Sequence, residues 1–462
     1  MKKIILLSLL IIVVSIVSGQ SLLKGKGFES KSSENYYLLK TNDEIYYLNK
    51  PIASLGKSDC EILKYKYNEN GISKENEAIL NIKNKKFTYL SGGNGVLFGN
   101  SETKCFYLGF SQEFVDNSFT LRKGIRGRLV IEKYDLKGNL LKSLGVDKKV
   151  EENNDYFFSV EASKNGKYIG FINNKEYSLY NSDNFDLEKT FKLKFLPEKD
   201  KAKFYVLSDG SLIFITLTNP LIVTKCDINT GEVKTLQVAF DRDNNFGAKF
   251  NLSEDEMFLT IGCNYNDQKN KDKNTIITNG IQILGIDLTE LELQDKLNFT
   301  FSDVLLEKME EKESISYLRI DDIYKLGNDY YLITDKNYTD IGKYSVRNYN
   351  RNILLIKISK EDSKFDIIKR DDLNAEMYTS LINGRPCILY TTKTEVKLSI
   401  VYQNKFLCLE IDENLKSKTL IEEDFSTNEV KVCNLSLNKI DEKNYFILVK
   451  EKDRYMPILL TF

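Results

Sequence analysis

The stretch DRDNNFG (residues 241–247) sets Asp241, Asp243 and Asn245 at alternate positions, as in the opening of a calcium-binding loop. Oxygen donors so spaced suit a hard cation. The glycine comes one place late, however, and the closing position falls on Leu252 where a bidentate glutamate belongs. The stretch therefore reads as a solvated turn. Two adjacent carboxylate pairs, Asp321-Asp322 and Asp371-Asp372, raise glycoside hydrolysis, which runs on carboxyl groups without histidine. Neighbours on a strand point to opposite faces, so neither pair supplies both acid and nucleophile. A hydrolase here would need single carboxylates from separate elements meeting in a channel. The segment NYTDIGKYSVRNYNR carries Tyr344, Arg347, Tyr349 and Arg351. Tyrosine and arginine make binding anchors once desolvated, and these four are the candidate ligand contacts. The plainer reading is an exposed loop whose tyrosines cover a sheet edge.

Absences narrow the chemistry further. The chain of 462 residues has no histidine and no tryptophan. Ser-His-Asp and Cys-His catalysis, histidine-ligated zinc and a proximal-histidine haem are all excluded. No Walker loop, GxGxxG, GxSxG or HExxH motif occurs. Seven cysteines stand far apart with no CxxC pair, so they read as buried thiols rather than metal or redox motifs. No metal, no cofactor and no catalytic residue is expected. The 66 basic and 67 acidic residues balance, which leaves no surplus to hold nucleic acid. A protein or a glycan is the partner class that remains. Oligomeric state is not encoded in any of these features.

Lys2 and Lys3 precede an apolar run from Ile4 to Val17, and Val17-Ser18-Gly19 offers small residues. This is the pattern of a secretory signal peptide cut after Gly19. The run is shorter than the roughly 20 residues of a membrane-spanning helix, and no second long apolar run follows. The expectation is an exported protein, periplasmic, on the cell surface or secreted, with no membrane span after cleavage. Residues 20–34 are small and polar and read as a flexible leader. A single domain is expected over 35–462.

The elements that must carry the candidate residues are hairpins. VIEKYDLKGNLLKSL (130–144) reads as strand, tight turn and strand, with Asp135 opening the turn and Gly138 inside it. The unit recurs from Glu61, Glu176, Leu221, Ile281, Ile353 and Lys405. A second hairpin type lies between the copies, at 157–174 and from Thr88, Lys203, Ala248, Asp322, Thr379 and Asn434. Each pair of hairpins makes four strands, and four strands repeated in series is the blade of a β-propeller. The reading is an all-β, seven-bladed propeller of four-stranded antiparallel blades. An eight-bladed ring is the alternative, because the early pair at 35–50 offers strands for one more blade. An outer-membrane barrel, a sandwich array and two β domains are the other possibilities. The barrel fits poorly, since runs such as LIFITL are short and apolar on both faces. An insertion at 302–314 is expected to hold a short helix capped by Ser302. The last segment, 456–462, is too short to stand alone, and a strand from 36–48 is its expected partner.

From Ser316 onward the order YLRIDDIYKLGNDYYLITDKNY, YNRNILLIKISKEDSKFDIIKRDD, NKFLCLEIDENLKSKTLIEE and YFILVKEKDRYMPILLTF resembles secreted bacterial β-propeller-like proteins of unknown function. Those proteins carry a tryptophan after the hairpin turn, where this chain has Phe365 nearby. The resemblance implies a propeller and brings no activity. The functional expectation is a non-catalytic binding or interaction module, with a glycan-active hydrolase as the alternative.

Overall fold

Alternating apolar residues and Asx-type turns give short antiparallel strands throughout. The computed structural model describes residues 21–24, 28–29, 33–41, 44–51, 60–68, 71–80, 86–87, 96–115, 125–147, 158–173, 176–193, 202–242, 245–266, 277–316, 318–341, 346–368, 377–378, 387–391, 396–402, 405–424, 430–432, 438–439, 444–451 and 454–461. Seven four-stranded antiparallel blades, each from one continuous stretch, are arranged as a β-propeller. Blade 1 comprises Ser33–Thr41, Glu44–Pro51, Cys60–Asn68 and Gly71–Leu80. Blade 2 comprises Val96–Asn100, Cys105–Val115, Ile125–Asp135 and Leu140–Asp147, with Lys86–Phe87 also on its second strand. Blade 3 is Phe158–Ala162, Tyr168–Asn173, Glu176–Asn181 and Leu187–Lys192. Blade 4 is Ala202–Val206, Leu212–Thr216, Leu221–Cys226 and Val233–Val238. Blade 5 is Asn245–Leu252, Phe258–Tyr265, Gly280–Asp287 and Glu292–Thr300. Blade 6 is Leu318–Leu326, Asp329–Ile341, Val346–Ile358 and Ser363–Ile368. Blade 7 is Cys387–Thr391, Val396–Tyr402, Lys405–Ile411 and Ser417–Asp424.

One further sheet is built from both ends of the chain. Val430–Val432, Asn444–Glu451 and Arg454–Thr461 come from one end, and Ser21–Lys24 from the other. This closing sheet corrects two expectations. Within the expected leader 20–34, the described residues Ser21–Lys24 and Phe28–Glu29 are strands that both pair with Arg454–Thr461. The final strand therefore takes its partner from those residues and not from 36–48, which lies in blade 1. The reason is geometric, since strand pairing needs only matched hydrogen-bonding edges and no turn between them.

The core sits between sheets, in apolar clusters at their interfaces. Ile45, Tyr47, Leu63 and Tyr65 of blade 1 pack on Phe446, Leu448 and Leu459 of the closing sheet. Further clusters join blades 1 and 2, 2 and 3, 3 and 4, 4 and 5, 5 and 6, and 6 and 7. Each blade is apolar on both faces because it is sandwiched, so the strands read as continuous runs, as in the wholly buried Leu212–Thr216. The expected helix is present at Asp303–Lys308, with Ser302 Oγ accepting from Leu305 N at 3.3 Å. Leu305 and Leu306 bury its inner side in the cluster between blades 5 and 6.

Candidate functional site

Strand direction alternates within each blade, which divides the connections between the two sides of the ring. Turns between first and second strands, and between third and fourth, leave one side. Second-to-third hairpins and blade-to-blade connections leave the other.

The first side is made of short, self-bonded turns. Asp135 Oδ1 accepts from the backbone N–H groups of Lys137 (2.9 Å) and Asn139 (2.8 Å). Asp227 does the same for Asn229 and Thr230, and Asp412 for Asn414 and Lys416. The left-handed position in these turns is glycine in blades 2 and 4, Gly138 and Gly231. In blades 3, 5 and 7 it is Phe185, Leu291 or Leu415, with φ of 56°, 59° and 65°. Each of these side chains is buried against the neighbouring blade, which offsets the backbone strain of a non-glycine residue there. The first-to-second turns follow a matching rule. Gly166 and Gly210 take the left-handed position in blades 3 and 4, and Glu256 in blade 5. The Glu256 carboxylate reaches blade 4 and accepts from Ser208 N at 2.7 Å. Lys164 donates to Glu254 O at 3.0 Å, linking the blade 3 turn to that of blade 5. The turns on this side thus largely satisfy one another.

The second side carries the long connections, and among the described residues blade 6 sends the longest strands to it. Its middle strands each run thirteen residues. The outer strand pairs only from Ile353 onward. Beyond that point the middle strands continue as an arm, from Asn337↔Asn350 to Ile341↔Val346. At about 3.3 Å per residue this reaches about 16 Å past the blade. Met377–Tyr378 adds a third strand near the tip, opposite Arg347 and Asn348.

Of the predicted contact residues, Arg347 and Tyr349 lie on this arm, opposite Asp340 and Tyr338. Arg351 falls at the register break where the arm leaves the blade. Tyr344 lies outside the described residues. The register therefore brings Tyr338, Asp340, Arg347, Tyr349 and Tyr378 onto three adjacent strands. Tyr378 was missed in sequence because it comes from a separate segment.

At the base of the arm is a buried ionic group. Arg319 Nε donates to Asp321 Oδ1 at 2.7 Å, and Arg319 Nη2 lies 3.6 Å from Asp335 Oδ2. Both carboxylate side chains are almost wholly buried. Lys336 forms an ion pair with Glu311 from the connection between blades 5 and 6. Asn264 of blade 5 donates to Leu318 O at 2.8 Å. A register shift between Ile320 and Asp322 sets Asp321 at an irregularity of the strand, so Asp321 and Asp322 are separated in role. Asp371 and Asp372 lie outside the described residues, as does Asp243. Asp241 is paired with Lys296 and accepts from Gln282 at 3.0 Å and Asn298 at 2.7 Å. Protein donors, all from blade 5, thus occupy the first carboxylate of the calcium-like stretch.

The titrating groups show what the carboxylates are prepared for. Burial alone would raise the Asp295 carboxyl, but bonds from Lys360 (2.7 Å), Tyr330 (2.6 Å) and Lys325 (3.0 Å) outweigh it and bring it down to about 2. Tyr330 and both lysines belong to blade 6 and Asp295 to blade 5, so the group fastens two blades. Glu44, Asp135, Asp227, Asp241 and Asp255 are likewise held below the usual carboxylate range. Hydrogen bonds are the leading cause for Glu44, Asp227, Asp241 and Asp255; for Asp135, burial pulls upward but its bonds with Asn139 and Lys137 prevail. A glycosidase acid needs the opposite displacement. Cys60, Cys105, Cys226, Cys263 and Cys408 are buried, and burial pushes the thiols of Cys226, Cys263 and Cys408 up to about 12.

No family model and no curated protein matches the chain. It is similar to several solved structures. Hydrazine synthase of Kuenenia stuttgartiensis shares 10% identity over 72% of this chain and 95% of that one, with a TM-score of 0.36. The U3-55K structure shares 9% over 76% and 98%, with a TM-score of 0.37. A chain of the S. cerevisiae complex of dbp5 with nup159 and gle1 shares 11% over 81% and 90%, at 0.38. With identities this low, no activity passes from those proteins to this one.

Proposed function

We propose that the chain is an exported, non-catalytic interaction module that meets a protein or glycan partner on its long-connection side. The observation that carries this is the blade 6 arm. A short ribbon is marginal by itself, and this one extends well past its supporting blade with Tyr338 opposite Tyr349 and Arg347 opposite Asp340 and Tyr378. The opposite side, by contrast, spends its polar groups on its own turns. Glu44, Asp135, Asp227, Asp241, Asp255 and Asp295 are held low by bonds within the fold, so these six do not serve as the acid of the hydrolase reading. Export rests on the N-terminal pattern alone.

The test replaces residues 337–350 with a two-residue Asn-Gly turn and compares it with the tight-turn variant Lys164→Ala. Both proteins should keep the far-ultraviolet spectrum of the parent. The arm variant should lose retention of partners from the exported or cell-surface fraction, while Lys164→Ala keeps it. Equal retention by the arm variant, or release of reducing sugar from a glycan panel by the parent, would refute the proposal.

A further inference from the structure

Buried polar groups without a bonding partner gather at one corner of the ring, where the second-side ends of blades 5 and 6 meet at the base of the arm. Asn245 and Phe246 pair with Tyr265 and Asn264. Asn279 N donates to Tyr265 O at 2.9 Å, which sets Thr278 beside the same strand end. Asn264 Nδ2 donates to Leu318 O at 2.8 Å, which brings in the strand of Arg319 and Asp321. At this corner Asn245 Oδ1, Asn264 Oδ1, Thr278 Oγ1, Asp321 Oδ2 and Arg319 Nη2 are buried atoms that make no hydrogen bond among the described residues. Asn264, Thr278 and the Asp321 side chain are themselves more than nine-tenths buried. Interior polar groups are nearly always bonded, so five such atoms at one corner mark a place built for a ligand. The corner meets solvent through the Arg319 side chain, which is 29% exposed. Thr278 lies in a strand of two residues paired with Ile315–Ser316, so a local opening that admits a ligand breaks few bonds.

We infer that this corner binds a neutral sugar, so that the partner met by the second side presents a glycan there; the inference rests on the reading of that side as the partner side. Open valences decide the ligand class. Asn245, Asn264 and Asp321 offer acceptors, Arg319 offers a donor, and the Thr278 hydroxyl serves either way. A cation would answer the acceptors and leave the arginine N–H unmet. An anion would do the reverse. A peptide backbone brings one N–H per residue, too few for three acceptors at one corner. Neighbouring hydroxyls on a sugar ring each donate and accept, which matches the mixture. Arg319 already faces the carboxylates of Asp321 and Asp335, so no ligand charge is called for. Asp321 is bonded through Oδ1 to Arg319 Nε at 2.7 Å, which fits it to hold a hydroxyl rather than to give up a proton.

The test is calorimetric titration of the full chain with a panel of neutral hexoses and their disaccharides, at least one of which should bind saturably. Thr278→Val removes the hydroxyl at nearly constant shape and should weaken that sugar about tenfold, the worth of one hydrogen bond. It should melt no lower than the parent, because a buried group without a partner is replaced by an apolar one at little cost. Arg319→Lys should weaken the sugar as well, and Lys164→Ala, on the opposite side, should leave its binding unchanged. The arm variant keeps the corner and should still bind free sugar, so a failure of the partner-retention assay and a failure here are read separately. No saturable sugar, or equal affinity in Thr278→Val, overturns the inference. A lower melting temperature for Thr278→Val also overturns it, since ordered water then satisfies the hydroxyl. A sodium-dependent rise in melting temperature that Thr278→Val abolishes, without sugar binding, makes the corner a cation site and overturns it too.

Discussion

Leu291 offers a test in which the usual order of two substitutions reverses. Its backbone is left-handed, with φ of 59°, and its side chain is buried in the cluster between blades 4 and 5. Replacing a buried leucine with alanine costs about 2–5 kcal/mol. Alanine keeps its Cβ, so Leu291→Ala also keeps the strain of the left-handed backbone, about 1–2 kcal/mol for a residue with a Cβ. Leu291→Gly removes one more carbon and removes that strain. Elsewhere glycine is worse than alanine by about 0.5–1 kcal/mol through backbone entropy. At Leu291 the balance should favour glycine by up to about 1.5 kcal/mol, the strain less the entropy. Urea unfolding midpoints measured at equal slope read the difference directly. Leu284 is the control: it is buried in the same cluster but lies in the regular strand Gly280–Asp287. There the alanine variant should be the more stable one. If Leu291→Gly unfolds at lower urea than Leu291→Ala, the turn does not store strain and the reasoning fails.

Two further outcomes are expected. The Asp295 carboxyl is depressed from its ordinary value to about 2, so its stabilisation is full above the unfolded pKa and is lost as pH falls from about 4 through about 2. Asp295→Asn should therefore lower stability at pH 7 by about 2 kcal/mol and flatten the acid limb of the stability profile; an unchanged limb counts against the fastening role. Cys226, Cys263 and Cys408, buried and raised to about 12, should resist a thiol reagent at pH 8 and react only in denaturant, and rapid native labelling at any of them contradicts their burial.

What was legible in the sequence was local. Hairpins with an Asx-type turn, such as 130–144, were found because turn chemistry and strand period lie within a few residues. The turns expected from Thr88, Thr379 and Asn434 fall partly outside the described residues, and the hairpins seen near the first two are 96–115 and 387–402. Ser21–Lys24 was missed because four residues with no turn beside them carry no such pattern. The arm was read as a loop, since 337–351 is polar and breaks the apolar alternation that marks a buried strand. Arg319 and Asp335 were not paired in advance; only the register across blade 6 brings them opposite. Nothing in the sequence marks Leu291 and Leu415, because it shows an apolar side chain but not the sign of φ beneath it.

Ser21 lies directly opposite Thr461 across one pair of strands. A bond joining those positions, with the chain reopened at any tight turn, would describe the same molecule with a different first residue. The order of the blades is thus a cyclic one, and the same contacts follow whichever blade is counted first. Gene rearrangements that rotate the coding order would be structurally silent as long as one sheet still draws strands from both ends. Relatives of this chain are therefore best compared blade against blade with the starting point left free, because an end-to-end alignment would mistake a rotation for a divergence.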